Sequence, residues 1–293
     1  MTSDFPTALL PPGHTRAGGG TVTAASAEGV GNAGMRHPTM QHMDANDRAR
    51  RFGGIERLYG EGSINRLAAA HVCVIGIGGV GSWAAEALAR SGIGRLTLID
   101  LDHVAVSNLN RQVHALEVTL GEAKVQAMAA RIAAIDPACA VTCIEEFVTE
   151  ENVAALIPPC DLVLDCIDQV RPKAALVAHC RRLGIAVVTT GGAGGRVDPT
   201  RIRIEDLSRT TQDALASKLR ARLRRDYGFP REAKKKFGVP CVFSDEPIRR
   251  PQACDTDEAG VHGLSCAGYG SSMAVTAAFG LAAAAHGLGI LLG

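Results

Sequence analysis

Three observations in this 293-residue chain predict an α/β fold, doubly wound and Rossmann-like, with a mostly parallel sheet. Short buried apolar runs alternate with stretches of helical periodicity, the pattern of parallel strands joined by helices on both faces. The first run, from His71, breaks into Gly76-Ile-Gly78-Gly79-Val-Gly81 ahead of a helical stretch. Glycines there let backbone N–H groups approach an anion at a helix N-terminus. Two later runs lead into Asp100 and Asp168, at the strand edge where open parallel sheets bind ligands.

Residues 1–45 are rich in Gly, Ala, Thr and Pro without apolar periodicity and read as a disordered tail, leaving 46–293 as a single domain. Strands are expected near 71–76, 95–100, 140–144, 161–166 and 185–190, with helices near 79–91, 122–135, 150–157 and 171–183. The second helix is amphipathic, with Val125, Met128, Ile132 and Ile135 three and four residues apart. After the glycine run 191–195 the alternation loosens. Residues 196–270 then form a basic insertion on the substrate side, with a strand at 201–204, a helix and a polar crossover loop between Cys254 and Cys266. The final twenty residues, 273–292, are long enough to span a bilayer. Their Ala and Gly content and lack of flanking Lys or Arg favour a helix buried against the sheet or in a dimer interface; membrane association is the alternative.

The glycine pattern alone would suit a dinucleotide dehydrogenase. Ser107-Asn108-Leu-Asn110-Arg111-Gln112, soon after Asp100, changes the reading. Asp100 is placed to accept hydrogen bonds from ribose hydroxyls, while a triphosphate split between its α- and β-phosphates needs a cationic fork, which Arg111 supplies. The plainer alternative is that Asn108 and Asn110 cap a turn and Arg111 makes a surface ion pair. Lys124, in a first helical turn, opposes the helix dipole and needs an anionic partner, a role phosphate would fill. Asp168 faces the same crevice, and a carboxylate facing phosphates calls for Mg²⁺ between them. Asp102 sits near nucleotide or metal, or caps the following turn.

Gly76-x-Gly78-Gly79-x-Gly81, Asp100-x-Asp102, Asn108-x-x-Arg111-Gln112, Lys124 and Asp168, in that order, resemble the E1-like adenylating superfamily. That resemblance implies an adenylation domain that activates a carboxylate with ATP and releases pyrophosphate. Its sulfur-carrier branch holds zinc on two Cys-x-x-Cys pairs, whereas the nine cysteines here include no such pair, so no structural zinc is expected. Arg51-Phe-Gly-Gly-Ile-Glu-Arg57, Asp168-Gln-Val-Arg171-Pro-Lys173 and Val239-Pro-Cys241-Val-Phe-Ser244 are similar instead to the tRNA threonylcarbamoyladenosine dehydratases. This implies ATP-dependent cyclisation of a threonylcarbamoyl group on tRNA, a homodimer, and Arg111, Lys124 and Asp168 as the catalytic set. Gly76, Gly78, Gly79, Gly81, Asp100, Asp102, Asn108 and Gln112 would bind the nucleotide. The sulfur-carrier branch supplies an arginine across its dimer; here its second motif arginine is missing, leaving Arg51 or Arg57 as substitutes. Cys241 is the candidate reactive thiol, and a sulfur-relay protein a candidate partner. The alternative reading is an adenylyltransferase for the C-terminal glycine of a small ubiquitin-like sulfur carrier.

Charge points separately to RNA. The chain carries 31 basic and 30 acidic residues, yet Lys218, Arg220, Arg222, Arg224, Arg225, Arg231, Lys234, Lys235 and Lys236 face only Asp226 and Glu232 within one segment. Leu215, Leu219, Leu223 and Tyr227 recur every four residues, so an apolar stripe packs inward and the arginines are expected outward. Such a stripe suits a phosphate backbone, and it positions rather than reads. An odd cysteine count, no secretory leader pattern and a nucleotide site indicate a reducing cytoplasm.

Overall fold

The computed structural model describes residues 45–232, 234–249 and 269–293. The tail expected before Ala45 and the polar loop between Cys254 and Cys266 lie outside the described residues. In chain order the elements are α1 (Ala45–Tyr59), α2 (Ser63–Ala69), β1 (His71–Ile75), α3 (Gly81–Arg90), β2 (Arg95–Ile99), α4 (Lys124–Ile135), β3 (Ala140–Ile144), α5 (Val153–Leu156), β4 (Leu162–Asp165), α6 (Val170–Leu183), β5 (Ala186–Thr190), β6 (Ile202–Asp206), α7 (Ala214–Asp226), β7 (Pro240–Ser244) and α8 (Met273–Leu292).

Among the described residues seven strands form one sheet in the order β3-β2-β1-β4-β5-β7-β6, parallel except where β6 runs against β7. The chain builds outward from β1 to β3 and then returns to lay β4 on the other side of β1. That reversal makes the loops after β1 and β4 diverge and opens a crevice between them. Strand alternation divides the core in two. Val72 and Val74 of β1 face α3, α4 and α8, whereas Cys73 and Ile75 face the layer of α5, α6 and α7.

Helix α8 lies on the first layer, and its small residues are where neighbours come close. A Cβ on Gly280 would collide with the Val80 carbonyl and stand 2.9 Å from the Ala84 nitrogen; one on Gly287 would stand 2.6 Å from Leu162. By length and composition alone α8 could cross a membrane, but half of its span is buried within the fold. Helices α1 and α2 are additional to the expected elements; in α1, Gly53 and Gly54 weaken the helical pattern. Tertiary contact secures α1 instead: Phe52, 4% exposed, packs against Gly92, and Arg48 lies over its ring. The helix expected at 150–157 contracts to one turn, because Thr149 and Asn152 bond each other's backbone and side chain and fold the entry into a turn.

Candidate active site

The crevice at the carboxyl ends of β1 and β4 is a cavity of about 850 Å³. Gly76, Gly78, Gly79, Asp100, Asp102, Asn108, Arg111, Gln112, Lys124 and Asp168 all line it. Its floor depends on Gly76, whose φ of +84° and whose contact with the next loop, 2.9 Å from a would-be Cβ to the Cys166 carbonyl oxygen, admit no side chain. Gly81 is a correction to the expected binding set. It does not line the cavity but lies in the first turn of α3, where a Cβ would strike the Gly76 carbonyl, so its role is to close the turn.

Asp100, 8% exposed, braces that turn. Its carboxylate accepts from the Ile77 N–H at 2.6 Å and from the Asp102 N–H at 2.8 Å. Burial pushes its carboxyl above the usual range, and Lys124 and the two N–H groups pull against that. Lys124 does open a helix, and its ammonium lies 2.7 Å from the Asp102 carboxylate, which supplies the anionic partner within the chain. Asp102 is half-exposed, so the ion pair stands at the cavity wall with room for a phosphate to share the ammonium.

In the 107–112 segment Asn108 caps a turn, as the plainer reading expected, whereas Arg111 makes no ion pair among the described residues. The Asn108 side chain accepts from the Ala105 N–H at 3.0 Å and caps a 3₁₀ turn, and that turn presents Arg111 and Gln112, both of whose N–H groups donate to the Asn108 carbonyl. Trp83 of α3 donates to the Arg111 carbonyl at 2.9 Å and fixes the segment over the glycines. The Arg111 guanidinium donates to the Ser107 carbonyl and the Asn110 side chain and pairs with no carboxylate among the described residues. Asp168 is exposed at the mouth, on the loop between β4 and α6.

Two buried atoms in the cavity wall, Gln112 Oε1 and Thr276 Oγ1, have no partner among the described residues. Orphaned polar atoms facing a roomy polar crevice fit a polar ligand such as a nucleotide. Thr276 comes from α8 and is not among the expected site residues; its signal is that it and His286 are the only polar side chains of an apolar helix. Also missed was Lys173. Fully buried, it holds the Asp165 carboxylate at 3.0 Å and donates to the carbonyls of Asp165 and Ile167, tying down the loop that carries Asp168.

Cys241 is a second correction. It is 1% exposed within β7, between β5 and β6, and burial raises its thiol far above the ordinary value, so it is packed as a neutral hydrophobe. The basic helix is a third. Leu215, Leu219 and Leu223 are buried as expected, but Arg220, Arg222 and Arg224 turn to the protein: to the Thr210 hydroxyl, to Glu150 at 2.7 Å, and to the Pro230 carbonyl and the Phe237 ring. Arg225 is exposed and pairs with Asp226 at 2.7 Å, while Lys234, Lys235 and Lys236 stay exposed. Neither Arg51 nor Arg57 lines the cavity; Arg51 is engaged by Asp47 at 2.9 Å and by the Ile135 carbonyl.

Residues 53–293 match the model of the ThiF family. A tRNA threonylcarbamoyladenosine dehydratase of Escherichia coli is 54% identical over 246 residues, covering 81% of this chain and 92% of the relative. The crystal structure of the E. coli tRNA N6-threonylcarbamoyladenosine dehydratase in complex with ATP aligns with a TM-score of 0.77 at 50% identity, over 85% of this chain and 96% of that one. A molybdopterin-synthase adenylyltransferase of E. coli, by contrast, is 38% identical over only 43% of this chain.

Proposed function

The chain belongs to the ThiF family and, within it, to the tRNA threonylcarbamoyladenosine dehydratases, and we propose that the crevice beyond β1 and β4 is where it performs that reaction. The enzyme catalyses the ATP-dependent dehydration and cyclisation of N6-threonylcarbamoyladenosine at position 37 of tRNA. The observation that carries the site assignment is the Arg111 guanidinium standing over the glycine turn with no carboxylate partner among the described residues, in a cavity that Lys124 and Asp168 also line.

The threonyl carboxylate is a poor electrophile, because its leaving group would be oxide. Its oxygen bonds to the α-phosphorus of ATP as the bond to the β-phosphate oxygen breaks, giving a mixed anhydride and pyrophosphate. A nucleophile of the same side chain then bonds to the acyl carbon, AMP leaves and the nucleophile loses a proton, for a net loss of one water. Arg111 and Lys124 stabilise charge that builds on the phosphates, the glycine turn orients them, and Asp100 holds the ribose edge while bracing the turn. Ring closure is intramolecular, so positioning suffices without a His–Asp pair. Asp168 would hold Mg²⁺, which would supply charge neutralisation to the leaving pyrophosphate. A single exposed carboxylate fits that arrangement.

The exposed lysines 234–236 support contact with tRNA phosphates. Self-association as a homodimer and docking of a sulfur-relay protein rest on the family resemblance, and we place the activity in the cytoplasm, where ATP and tRNA are both met. Mass spectrometry of nucleosides from threonylcarbamoylated tRNA incubated with protein, ATP and Mg²⁺ tests the site. Wild type converts the nucleoside to its dehydrated form, and Arg111→Ala slows this by about 10²–10³-fold. An Arg111→Ala variant of undiminished rate refutes the assignment.

A further inference from the structure

On the α5–α6–α7 layer lies a second concavity of about 670 Å³. Its rim carries Arg181 and Arg182 from the last turn of α6 and Lys236, and Phe229 and Phe237 line it. Among the described residues no carboxylate pairs with any of these three cations. The two rings meet edge-on at 5.0 Å, with Phe229 half-buried and Phe237 covered on its other side by Arg224. His179 accepts from Arg182 at 3.1 Å, which keeps that guanidinium at the rim.

One residue joins this concavity to the crevice. Glu150 lines both, and its carboxylate is occupied by Arg222 at 2.7 Å, the Tyr227 hydroxyl at 3.0 Å and Arg171 at 3.2 Å. These donors hold its carboxyl below the usual range and neutralise the acidic group that the two cavities share. The neighbouring Asp226 is likewise taken up by Arg225 and Arg222. The rim is therefore cationic, with flat apolar surface beside it, while Glu146 and Glu151 line the crevice beyond Glu150. Nucleic acid joins those two chemistries in one ligand, phosphates for the cations and a base or ribose for the ring.

We propose that this groove, rather than the arginine face of α7, docks the backbone of the substrate tRNA beside the modified nucleotide. Phosphates sit on Arg181, Arg182 and Lys236, a base or ribose lies against Phe229, and the threonylcarbamoyl group reaches past Glu150 into the crevice. The inference rests on the dehydratase reading.

The test compares wild type with Arg181→Ala/Arg182→Ala/Lys236→Ala and with a version bearing Arg181→Lys/Arg182→Lys alone, all of them surface changes. Binding of labelled ATP by each protein reports an intact crevice. The triple variant is expected to raise the KM for threonylcarbamoylated tRNA about tenfold or more with kcat within about twofold. It also lowers the salt dependence of tRNA binding by about one unit of slope per lost phosphate contact, and the lysine version recovers most of both. Phe229→Ala raises KM without changing the salt slope. Unchanged KM and slope in the triple variant, while wild type dehydrates tRNA, overturn the groove and leave the dehydratase reading standing; the surface would then suit an acidic protein partner. Wild type that binds ATP but leaves the tRNA nucleoside unaltered overturns both.

Discussion

Lys173 is a fully buried cation paired with a fully buried carboxylate, that of Asp165. Thr189 adds a hydroxyl donor to the same carboxylate at 2.6 Å. Burial raises the Asp165 carboxyl above its usual range, and Lys173 is the main group pulling it back. Removing one partner leaves a charge with no solvent, which typically costs about 3–5 kcal/mol, whereas replacing both with apolar groups is often neutral. Lys173→Met is therefore expected to lower unfolding free energy by about that amount in urea titrations. Lys173→Met/Asp165→Leu should regain most of it while dehydratase activity stays low, because the carbonyls of the Asp168 loop have lost their donor. Activity fully regained by the double variant would show the pair to be structural alone.

At the scale of an element, α8 links packing to chemistry. Its Gly280 lets it settle against the first turn of α3, and Thr276, one turn earlier, then reaches the crevice beside Gly79. A Cβ on Gly79 would lie 3.3 Å from both Thr276 and Arg111, so the glycine turn, α8 and the arginine segment fit as one unit. Gly280→Val forces the helices apart. Overpacking of this kind costs about 1–3 kcal/mol, and ATP affinity should fall as well because Thr276 recedes. Thermal unfolding with and without ATP checks both, the ATP-induced gain in Tm being smaller in the variant than in wild type. Helix α7 makes the opposite point. Its leucine period was legible, but the direction of its arginines was not, because Glu150 comes from a distant part of the chain and Thr210 and Phe237 from the loops that fold back on either side of the helix.

For the molecule as a whole, acid is the expected weakness. His114, 1% exposed, has no partner for either ring nitrogen among the described residues. Burial, with Lys124 and Arg131 nearby, lowers its pKa from 6.5 to about 4. The unfolded chain therefore takes up a proton between those values that the folded chain refuses. Stability is whole above pH 6.5 and falls as pH drops toward 4, by an amount on the order of 3 kcal/mol from this group. Urea midpoints measured across that window should decline in wild type and decline less in His114→Gln. An equal decline in both would place the acid sensitivity elsewhere.

Local signals determined much of this protein. The alternation of apolar runs specified the parallel strands, and the order Gly76 to Asp168 specified a nucleotide crevice, because strand period and chain direction alone bring the loops after β1 and β4 to one edge. Only the tertiary structure decided which members of those motifs face ligand. Gly81 was diverted to packing, Cys241 to the sheet core, and three arginines of α7 to internal partners, while Thr276 and the cations at the end of α6 were brought in from segments with no motif of their own, and Lys173 from a motif that did not show its role. The physical reason is that a side chain's ionisation and availability depend on burial and on partners far away in sequence, which neither spacing nor composition encodes.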